Sequence, residues 1–335
     1  MKAKEKYRVN METHVELGEV APLNAPFVLL IDPSNLCNYK CKFCPTGNRE
    51  LIKSTGRYNG LLDFDLYKKI IDDLKEFDEP IKTLRLYKEG EPLVNPHFAE
   101  MIAYAKNSGL VKRIDTTSNG ALLNPKVNRA IIEAGLDQIN ISVNGVSTEQ
   151  LEYYTQAKAN FNEYVKNIKD LYENRGNCEI SIKAIAENLT EDEQKKFFDT
   201  FGNISNRIVL EHLSPAWPQF TFHSDIKMEY TTGNYGQEVI NRKVCPYIFY
   251  IMVVNSDGRC STCVGDWPNK LIVGDTRKQS VKEIWQGESL NNYRINNLKG
   301  NRGFVSFCGD CEVVKYGTLD NMDKYADDIL KRMDK

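Results

Sequence analysis

The sequence predicts an α/β protein, with a partial (βα)6, TIM-like barrel followed by a small C-terminal α+β domain. Between residues 27 and 213, six apolar segments of strand length alternate with amphipathic helical segments. Such alternation indicates a parallel sheet with right-handed crossovers. Six units are fewer than the eight of a closed barrel, so we expect the sheet to stay open. The nine cysteines fall mainly into one group before residue 45 and another after residue 244, which suggests a second unit.

Each strand is predicted from a short apolar run. The six runs are residues 27–31, 82–87, 111–116, 138–143, 179–185 and 208–213. Before the first run lies an extension, 1–26, and after the last a linker or lid, 214–243, rich in proline, glycine and aromatic residues such as Phe222 and Tyr230. A cysteine-bearing domain, 244–317, and a C-terminal helix, 318–335, complete the predicted organisation.

The helices are predicted from apolar periodicity and from end signals. Residues 63–77 place Tyr67, Ile70, Ile71 and Leu74 on one face at helical spacing. Asparagine–proline pairs at 95–96 and 124–125 indicate helix starts, with stops near glycines 109 and 135. Capping boxes are predicted at Ser147, Thr190 and Ser280. We expect a single helix after Ser147, with its apolar stripe over residues 161–171.

Polar residues alternate with apolar ones in the fourth and fifth predicted strands. Asn140, Ser142 and Asn144 alternate with isoleucine and valine, and Ser181 and Lys183 do the same in the next strand. If the apolar set packs against the helices, the polar set lines the lumen, because successive side chains point to opposite faces. The alternative is that these residues are solvated strand ends.

Composition excludes several classes of protein. Hydrophobic residues make up 41% of the 335 residues, and the formal net charge is -2, which is ordinary for a globular enzyme and gives no footprint for nucleic acid or membrane. The first residues lack the apolar core of a secretory signal. We therefore expect a cytoplasmic protein with no nucleic-acid or membrane partner, in which cysteines serve metal rather than disulfides.

Three cysteines follow the first predicted strand. Cys37, Cys41 and Cys44 have C-x3-C-x2-C spacing, and three thiolates on one loop suit three corners of an iron–sulfur cube with the fourth iron left open. Structural zinc wants four ligands, so zinc remains an alternative only if a distant residue completes the site.

With Phe43 before the third cysteine, this loop resembles the cluster loop of the radical S-adenosylmethionine (SAM) superfamily. The resemblance implies that SAM binds the open iron and is cleaved to methionine and a 5′-deoxyadenosyl radical, with an electron from a reductant such as flavodoxin or ferredoxin. Further matches imply a SAM-binding set. Its predicted members are Phe43, Gly90, Glu91, Pro92, Ser118, Asn119, Ser142 and Asn144. Gly90 and Glu91 resemble the family's Gly-Gly-Glu motif, but Glu89 replaces the first glycine.

The C-terminal cysteines resemble the SPASM extension or its shorter relative, twitch. Cys245, Gly258 and Cys263 fit C-x(n)-G-x4-C, and Cys308 and Cys311 follow. The resemblance implies one fully ligated auxiliary [4Fe–4S] cluster on these four cysteines, which makes two clusters in all; a four-cysteine zinc ribbon is the alternative. Cys260 is left over, and three roles stay open for it: replacement of Cys263, a small core residue, or a hydrogen-atom donor. Cys178 is predicted to be structural.

These matches imply a radical SAM oxidoreductase acting on a small polar, sugar-like or aminocyclitol-like substrate. The expected reaction oxidises an alcohol, and the auxiliary cluster accepts an electron. Candidates for the base are Lys88, Lys183, Glu211 and His212. Three alternatives stay open: an epimerase with Cys260 as hydrogen donor, an enzyme that modifies ribosomal peptides, and a non-catalytic zinc or iron–sulfur protein.

Overall fold

A single ten-stranded sheet organises the chain in the computed structural model, which describes residues 1–6, 14–221 and 231–334. The strand order is β1-β7-β6-β5-β4-β3-β2-β8-β9-β10. The strands are β1 (Lys4–Glu5), β2 (Val28–Ile31), β3 (Thr83–Leu86), β4 (Ile114–Ser118), β5 (Gln138–Ser142), β6 (Glu179–Ile185), β7 (Arg207–Glu211), β8 (Ile251–Val254), β9 (Arg259–Ser261) and β10 (Ile272–Asp275).

Helices connect the strands and cover the sheet. They are α1 (Leu17–Val20), α2 (Arg49–Thr55), α3 (Phe64–Asp72), α4 (Phe98–Ser108), α5 (Pro125–Glu133), α6 (Thr148–Thr155), α7 (Phe161–Glu173), α8 (Glu191–Phe201), α9 (Tyr247–Tyr250), α10 (Val281–Trp285), α11 (Glu288–Leu298), α12 (Ser306–Gly309), α13 (Val313–Tyr316) and α14 (Ala326–Met333). No helix within the described ranges has the length and apolarity needed to cross a bilayer.

The predicted partial barrel is confirmed. Strands β2 to β7 pair in parallel and in chain order, with registers such as Leu29 opposite Leu84 and Ile141 opposite Ile182. Within the described ranges, the two edges of the sheet, β1 and β10, do not pair with each other, so the sheet is open there. Because all its central strands run the same way, their carboxyl ends meet at one edge, where chemistry gathers in such folds.

The main core lies between this sheet and its helices. Tyr67, Ile70 and Ile71 of α3 are fully buried, as the predicted helical stripe requires. Burial of each such side chain contributes about 1.5–3 kcal/mol. The hydroxyl of Tyr67 also donates to the carbonyl oxygen of Met101 at 2.8 Å, which ties α3 to α4.

Two helix predictions were wrong in detail. Two helices replace the single helix expected after Ser147. Helix α6 ends at Thr155, because the next residue, Gln156, is left-handed with a φ of 51°, and α7 begins at Phe161. The helix expected from residues 95–96 begins at Phe98 instead. Asn95 accepts a hydrogen bond from the amide of His97 at 2.9 Å, so a side-chain turn holds the chain before the helix begins.

The C-terminal region joins the same sheet, which the sequence did not reveal. The predicted hairpin is present as β8 and β9, with Gly258 at φ +82°. Strand β8 also pairs in parallel with β2, with Leu30 opposite Val253. The second unit is therefore fixed to the strand that precedes the first cysteine loop.

The C-terminal residues after the β8–β9 hairpin pack against residues near the N-terminus and at α9. Ile329 of α14 and Met322 pack with Leu17, Val244 and Ile248 in a separate buried cluster. In the segment 214–243, Trp217 and Phe220 pack beside Trp267, whereas Phe222 and Tyr230 lie outside the described residues. The domain boundaries predicted from the sequence stay predictions.

Candidate functional site

Five residues separate the end of β2 from the first cysteine loop, Cys37–Cys44, which lies at the carboxyl edge of the sheet. Its backbone is fastened to the end of α6: the amide of Lys40 donates to Thr155 at 2.8 Å and that of Lys42 to Tyr154 at 3.1 Å. Within the loop, the amide of Cys44 donates to the carbonyl oxygen of Cys41 at 3.2 Å. Gly47 is required here, because a Cβ atom would lie 2.4 Å from that same carbonyl oxygen. These contacts fasten the cysteine loop to α6 and fix its turn after Cys41.

The three thiols of this loop are half-buried and electrostatically coupled. Burial raises the pKa of Cys44 to about 11, and it raises the pKa of Cys41 well above its usual value with a further contribution from the neighbouring thiolates. Burial likewise raises the pKa of Cys37. Three thiolates this close together need a cationic centre to be stable, since each disfavours ionisation of the others.

Nitrogen donors surround these sulfur atoms. The backbone amide of Tyr39 lies 3.4 Å from Sγ of Cys37, and the side-chain nitrogen of Asn119 lies 3.8 Å from the same atom. The side-chain nitrogen of Asn144 lies 3.8 Å from Sγ of Cys41. Such N–H···S contacts are typical of thiolates that ligate a metal, because they orient the sulfur and stabilise its charge. The donor set therefore fits an iron–sulfur cluster.

The residues of the predicted Gly-Gly-Glu-like motif lie against this loop. The amide of Glu91 donates to the carbonyl oxygen of Leu36 at 2.9 Å, and a Cβ atom at Gly90 would lie 2.3 Å from that oxygen and from the carbonyl oxygen of Ser34. Only glycine fits this approach. Pro92 begins a buried turn after Glu91, and Phe43 is half-buried in the loop.

The Glu91 carboxylate organises the turn after β4. It accepts hydrogen bonds from the Ser118 hydroxyl at 2.8 Å, the Asn119 amide at 2.7 Å and the Leu93 amide at 3.1 Å. Burial raises its pKa to about 7, although these hydrogen bonds act in the opposite direction. Both carboxylate oxygens therefore accept hydrogen bonds from the protein itself. Through them, Glu91 holds Ser118 and Asn119, two other residues of the predicted SAM-binding set, in position.

Glu89, which replaces the first glycine of the family's motif, forms ion pairs with two buried cations. Its carboxylate lies 3.2 Å from the Arg57 guanidinium and 2.7 Å from the Lys88 ammonium, and all three side chains are at most 2% exposed. Asp32, which follows β2, adds a second buried carboxyl group. Burial raises its pKa to about 6, although the charge of Lys88 pulls the pKa down. We call Asp32, Arg57, Lys88 and Glu89 the charge bridge.

The charge bridge connects the two cysteine sets. On one side, the Thr46 hydroxyl, two residues after Cys44, donates to the carbonyl oxygen of Glu89 at 2.8 Å. On the other, Arg57 donates to the carbonyl oxygen of Trp267 at 2.5 Å and Lys88 donates to that of Asp266 at 3.0 Å. The amide of Asp266 in turn donates to the carbonyl oxygen of Cys263 at 3.3 Å.

The second cysteine set comes from four separate positions in the chain. Cys245 precedes α9, Cys263 follows β9, and Cys308 and Cys311 flank the end of α12. Burial raises the pKa of Cys245 to about 12 and that of Cys308 to about 11, with neighbouring thiolates adding to both shifts. The Arg302 guanidinium acts in the opposite direction on both. The structure therefore brings together the four predicted ligands.

The arrangement of the cysteines bears on the zinc alternatives. Within the described residues, no group of three or more histidine, cysteine, aspartate or glutamate side chains converges on a position for a single metal ion. A structural zinc needs four ligand atoms about 2.0–2.3 Å from one point. In a cube, each thiolate ligates a different iron, so the ligands stand farther apart. The charges of Cys245, Cys311 and Cys308 act on Cys263, so the four thiols lie near one another.

Cys260 does not join either set. It lies in β9, opposite Val254 and Gly274, with 0% of its surface exposed, and packs in the main hydrophobic core. Burial raises the pKa of its thiol. Cys178 is also buried in that core. Of the three roles considered for Cys260, this placement favours the small core residue.

Two of the candidate bases form a pair near the carboxyl ends of β6 and β7. Lys183 of β6 and Glu211 of β7 form an ion pair at 2.6 Å, with side chains 31% and 26% exposed. Ser142 lies beside Lys183 in the neighbouring strand. By contrast, Lys88 is buried in the charge bridge, and His212 pairs with Glu187 at 3.0 Å on an exposed edge.

Sequence reasoning missed Asp32, Arg57 and Asp266. A signal existed for the first two, since a buried glutamate in place of a motif glycine requires a cationic partner, and a charged residue directly after an apolar strand is unusual. Asp266 had no comparable signal. Its carboxylate accepts hydrogen bonds from the Ser261 hydroxyl and the Leu271 amide, both at 2.8 Å, and these contacts depend on the folded loop.

Comparison with known proteins agrees with this geometry. The radical SAM superfamily model matches residues 31–193, and the SPASM model, an iron–sulfur cluster-binding domain, matches residues 245–312. A tungsten-containing aldehyde ferredoxin oxidoreductase cofactor-modifying protein of Pyrococcus furiosus is 31% identical over 36% of this chain, a match that spans only 32% of that relative. An AdoMet-dependent heme synthase of Methanosarcina barkeri is 26% identical, over 88% of this chain and 91% of its own length.

Solved structures share the fold at low identity. BtrN in complex with AdoMet and 2-DOIA has a TM-score of 0.55 and 17% identity, and the match covers 89% of this chain and 98% of BtrN. Streptococcus suis SuiB bound to precursor peptide SuiA has a TM-score of 0.63 and 14% identity, covering 82% of this chain and 68% of SuiB. With both cysteine sets in place, the chain belongs to the radical SAM superfamily, carries a SPASM domain, and uses SAM and [4Fe–4S] clusters.

Proposed function

We propose that this protein is a radical SAM oxidoreductase that oxidises an alcohol of a small polar, sugar-like or aminocyclitol-like substrate. The observation that carries the proposal is the Lys183–Glu211 pair on the carboxyl ends of β6 and β7. In the sheet order, these strands lie at the opposite side of the barrel from β2 and its cysteine loop. A polar substrate between the two sides would meet acid–base groups on one and the radical source on the other.

In this proposal Cys37, Cys41 and Cys44 hold the first cluster, and Cys245, Cys263, Cys308 and Cys311 hold the second. When bound, the first cluster with SAM supplies a hydrogen-abstracting 5′-deoxyadenosyl radical, and the second cluster supplies a one-electron acceptor. The turn at Ser118 and Asn119, fixed by Glu91, and the strand end at Ser142 and Asn144 present polar groups to SAM.

Oxidation of a CH–OH group to a carbonyl removes one hydrogen atom, one proton and one electron. We assign proton removal to Glu211, because its carboxylate is partly exposed at the carboxyl end of β7 and lies 2.6 Å from the Lys183 ammonium. Lys183 also has an ammonium group able to donate to a substrate oxygen. Four cysteines at the second site leave no open coordination position, which favours electron transfer over substrate binding there.

The comparisons support a small substrate. BtrN was solved in complex with AdoMet and 2-DOIA, and the present chain aligns with almost the whole of BtrN. SuiB, solved with a precursor peptide bound, has the higher TM-score, but about a third of it has no counterpart in this chain. Peptide modification is therefore the second candidate. Epimerisation lacks support, because the thiol expected to donate hydrogen, Cys260, is buried in the core.

Anaerobic turnover in deuterated buffer with a panel of aminocyclitols and sugars tests the proposal. We expect a product two hydrogens lighter than its substrate and one 5′-deoxyadenosine per product. A product at the oxidation level of the substrate with deuterium at carbon would refute oxidation in favour of epimerisation. Turnover of peptides alone would support the second candidate.

Variants test the assignment of the base. Glu211→Gln should lower product formation by about 10²–10⁴-fold, while SAM cleavage and iron content persist. Glu173→Gln is the matched control, since Glu173 also pairs with a lysine, Lys169 at 2.5 Å, but on the exposed surface of α7. Equal activity of the two variants would contradict the role of Glu211.

A further inference from the structure

Four cationic side chains surround the first cysteine loop, and we call them the basic rim: Lys40, Lys42, Arg49 and Lys53. Lys40, Arg49 and Lys53 are exposed, and Lys42 is half-exposed. Two cavities flank the loop, one of about 510 Å³ and the other of about 530 Å³. Cys41 and Cys44 line the first cavity, Cys37 lines the second, and Arg49 borders both.

The rim is not explained by local pairing. Glu50 is the one acidic residue among the described residues that line either cavity. Among the parts of the chain that the structure describes, no rim cation forms an ion pair; the Lys42 ammonium instead lies 3.2 Å above the ring of Tyr153, which is 52% exposed. The whole chain has a formal charge of -2, so the rim is a positive patch on a slightly acidic protein.

Helix stability does not explain the rim either. Arg49 is the first residue of α2, where the helix dipole disfavours a cation by about 0.3–1 kcal/mol. Lys40 and Lys42 contribute to the loop through their backbone amides, which leaves their side chains free to serve another purpose. A cluster of unneutralised cations beside half-buried thiols indicates a surface for a negatively charged partner.

We propose that the basic rim is the docking surface for a small acidic electron-carrier protein of the flavodoxin or ferredoxin type. An electron has to reach the first cysteine site from outside, and the rim borders the two cavities that its thiols line. On transfer, the carrier is oxidised by one electron and the site is reduced by one electron, with no atom exchanged. The proposal rests on membership of the radical SAM superfamily and is independent of the substrate.

Charge complementarity of this kind acts mainly on the association rate. Steering by a patch of one sign raises the association rate constant by about 10–10³-fold at low salt, and the gain falls steeply as ionic strength rises. Reversing two of four cations should therefore remove most of the gain, while contacts outside the rim keep their contribution.

The test measures binding of the anaerobic holoenzyme to a purified flavodoxin by stopped-flow fluorescence, at about 0.02 M and about 0.5 M salt, where the Debye length falls from roughly 20 Å to roughly 4 Å. The variants are Lys40→Glu, Lys53→Glu and their combination. Lys166→Glu on the outer face of α7, exposed and remote from the rim in the chain, is the matched control.

We expect the double variant to associate at least about tenfold more slowly at low salt, the control to stay within about twofold, and the difference to vanish at high salt. Iron content and reduction by dithionite, a small reductant that needs no docking, should be unchanged. If Lys40→Glu lowers iron content by disturbing the loop, Lys53→Glu on α2 is tested alone. A smaller decrease in the association rate is then expected.

Two outcomes would overturn the proposal. One is an unchanged association rate for Lys53→Glu and the double variant at low salt. The other is that GTP or a short single-stranded RNA binds more tightly than flavodoxin, competes with it, and no longer binds the same variants. The rim would then bind a different class of anion. Neither outcome bears on whether the enzyme oxidises an alcohol or modifies a peptide. The docking proposal and the proposed function can therefore be refuted independently.

Discussion

Removing the carboxylate of Glu89 should destabilise the protein far more than removing one from its surface. In Glu89→Gln, Arg57 and Lys88 keep their charges with side chains 0% and 1% exposed, and Asp32 alone remains to neutralise them. Loss of one partner from a buried ion pair costs about 3–5 kcal/mol. For 335 residues, an unfolding entropy of about 2.1 cal/mol/K per residue converts this loss to a Tm lower by about 4–7 °C.

A double-mutant cycle isolates the charge bridge from general disruption. Arg57→Met should cost a similar amount, because Glu89 is then left with Lys88 while Asp32 loses a neighbour. In the combined variant, Lys88 and Asp32 remain as one cation and one anion, so the total loss should fall short of the sum of the two single losses by about 2 kcal/mol, or about 3 °C.

The assay is anaerobic calorimetry of iron-loaded protein at one fixed scan rate. Glu173→Gln is again the control, because its pair with Lys169 is more than half exposed and should change Tm by less than about 1 °C. Additive losses in the combined variant, or a loss from Glu89→Gln no larger than the control, would refute the reasoning that buried charge compensation holds the two cysteine regions together.

Three further predictions concern single positions. Gly90→Ala places a Cβ atom 2.3 Å from the carbonyl oxygens of Ser34 and Leu36, just before the cysteine loop, and should reduce iron content. Gly303→Ala, whose Cβ meets nothing closer than 3.8 Å, should leave iron content unchanged. Asp32 has a folded pKa of about 6 against the usual 3.8, so protonation favours the folded state; the wild type should lose about 1.3 kcal/mol of stability from this group between pH 5 and pH 7. Unfolding at both pH values checks this, and an equal dependence in Asp32→Asn would contradict it. Cys260→Ala should lower stability by about 1 kcal/mol through lost packing and leave product formation intact; loss of product formation with normal iron content would restore its role as hydrogen donor.

The six central strands were predictable because each is encoded locally. A run such as residues 138–143 alternates buried isoleucine with polar side chains, and the structure places β5 over Gln138–Ser142. The break between α6 and α7 was not predictable from the sequence. It depends on the left-handed conformation of Gln156, and glutamine carries no signature for that conformation as glycine does. The side chain of Gln156 donates to the carbonyl oxygen of Lys40 at 2.6 Å, so the break fastens the cysteine loop.

The residues of the candidate site also fall into those that the sequence could predict and those that it could not. The cysteines, Gly90 and Glu91 could be named from the sequence, because short motifs around them resemble those of the family. The partnership of Lys183 with Glu211 could not, since it joins residues 28 positions apart on neighbouring strands. For Cys260 the sequence left three roles open, among them a small core residue, and the register of β9 places its side chain in the core.

By itself, the sequence indicated the radical SAM superfamily, because three cysteines spaced as in that family's cluster loop follow the first of six strand–helix units, and the family model matches residues 31–193. It also determined that a second cysteine set exists. Tertiary structure alone decided how the two sets are joined, through the pairing of β8 with β2 and through the charge bridge between Thr46 and Trp267. The physical reason is that periodicity and motif spacing are local, whereas buried ion pairs such as Arg57 with Glu89 exist only where packing excludes water and leaves each charge no other partner.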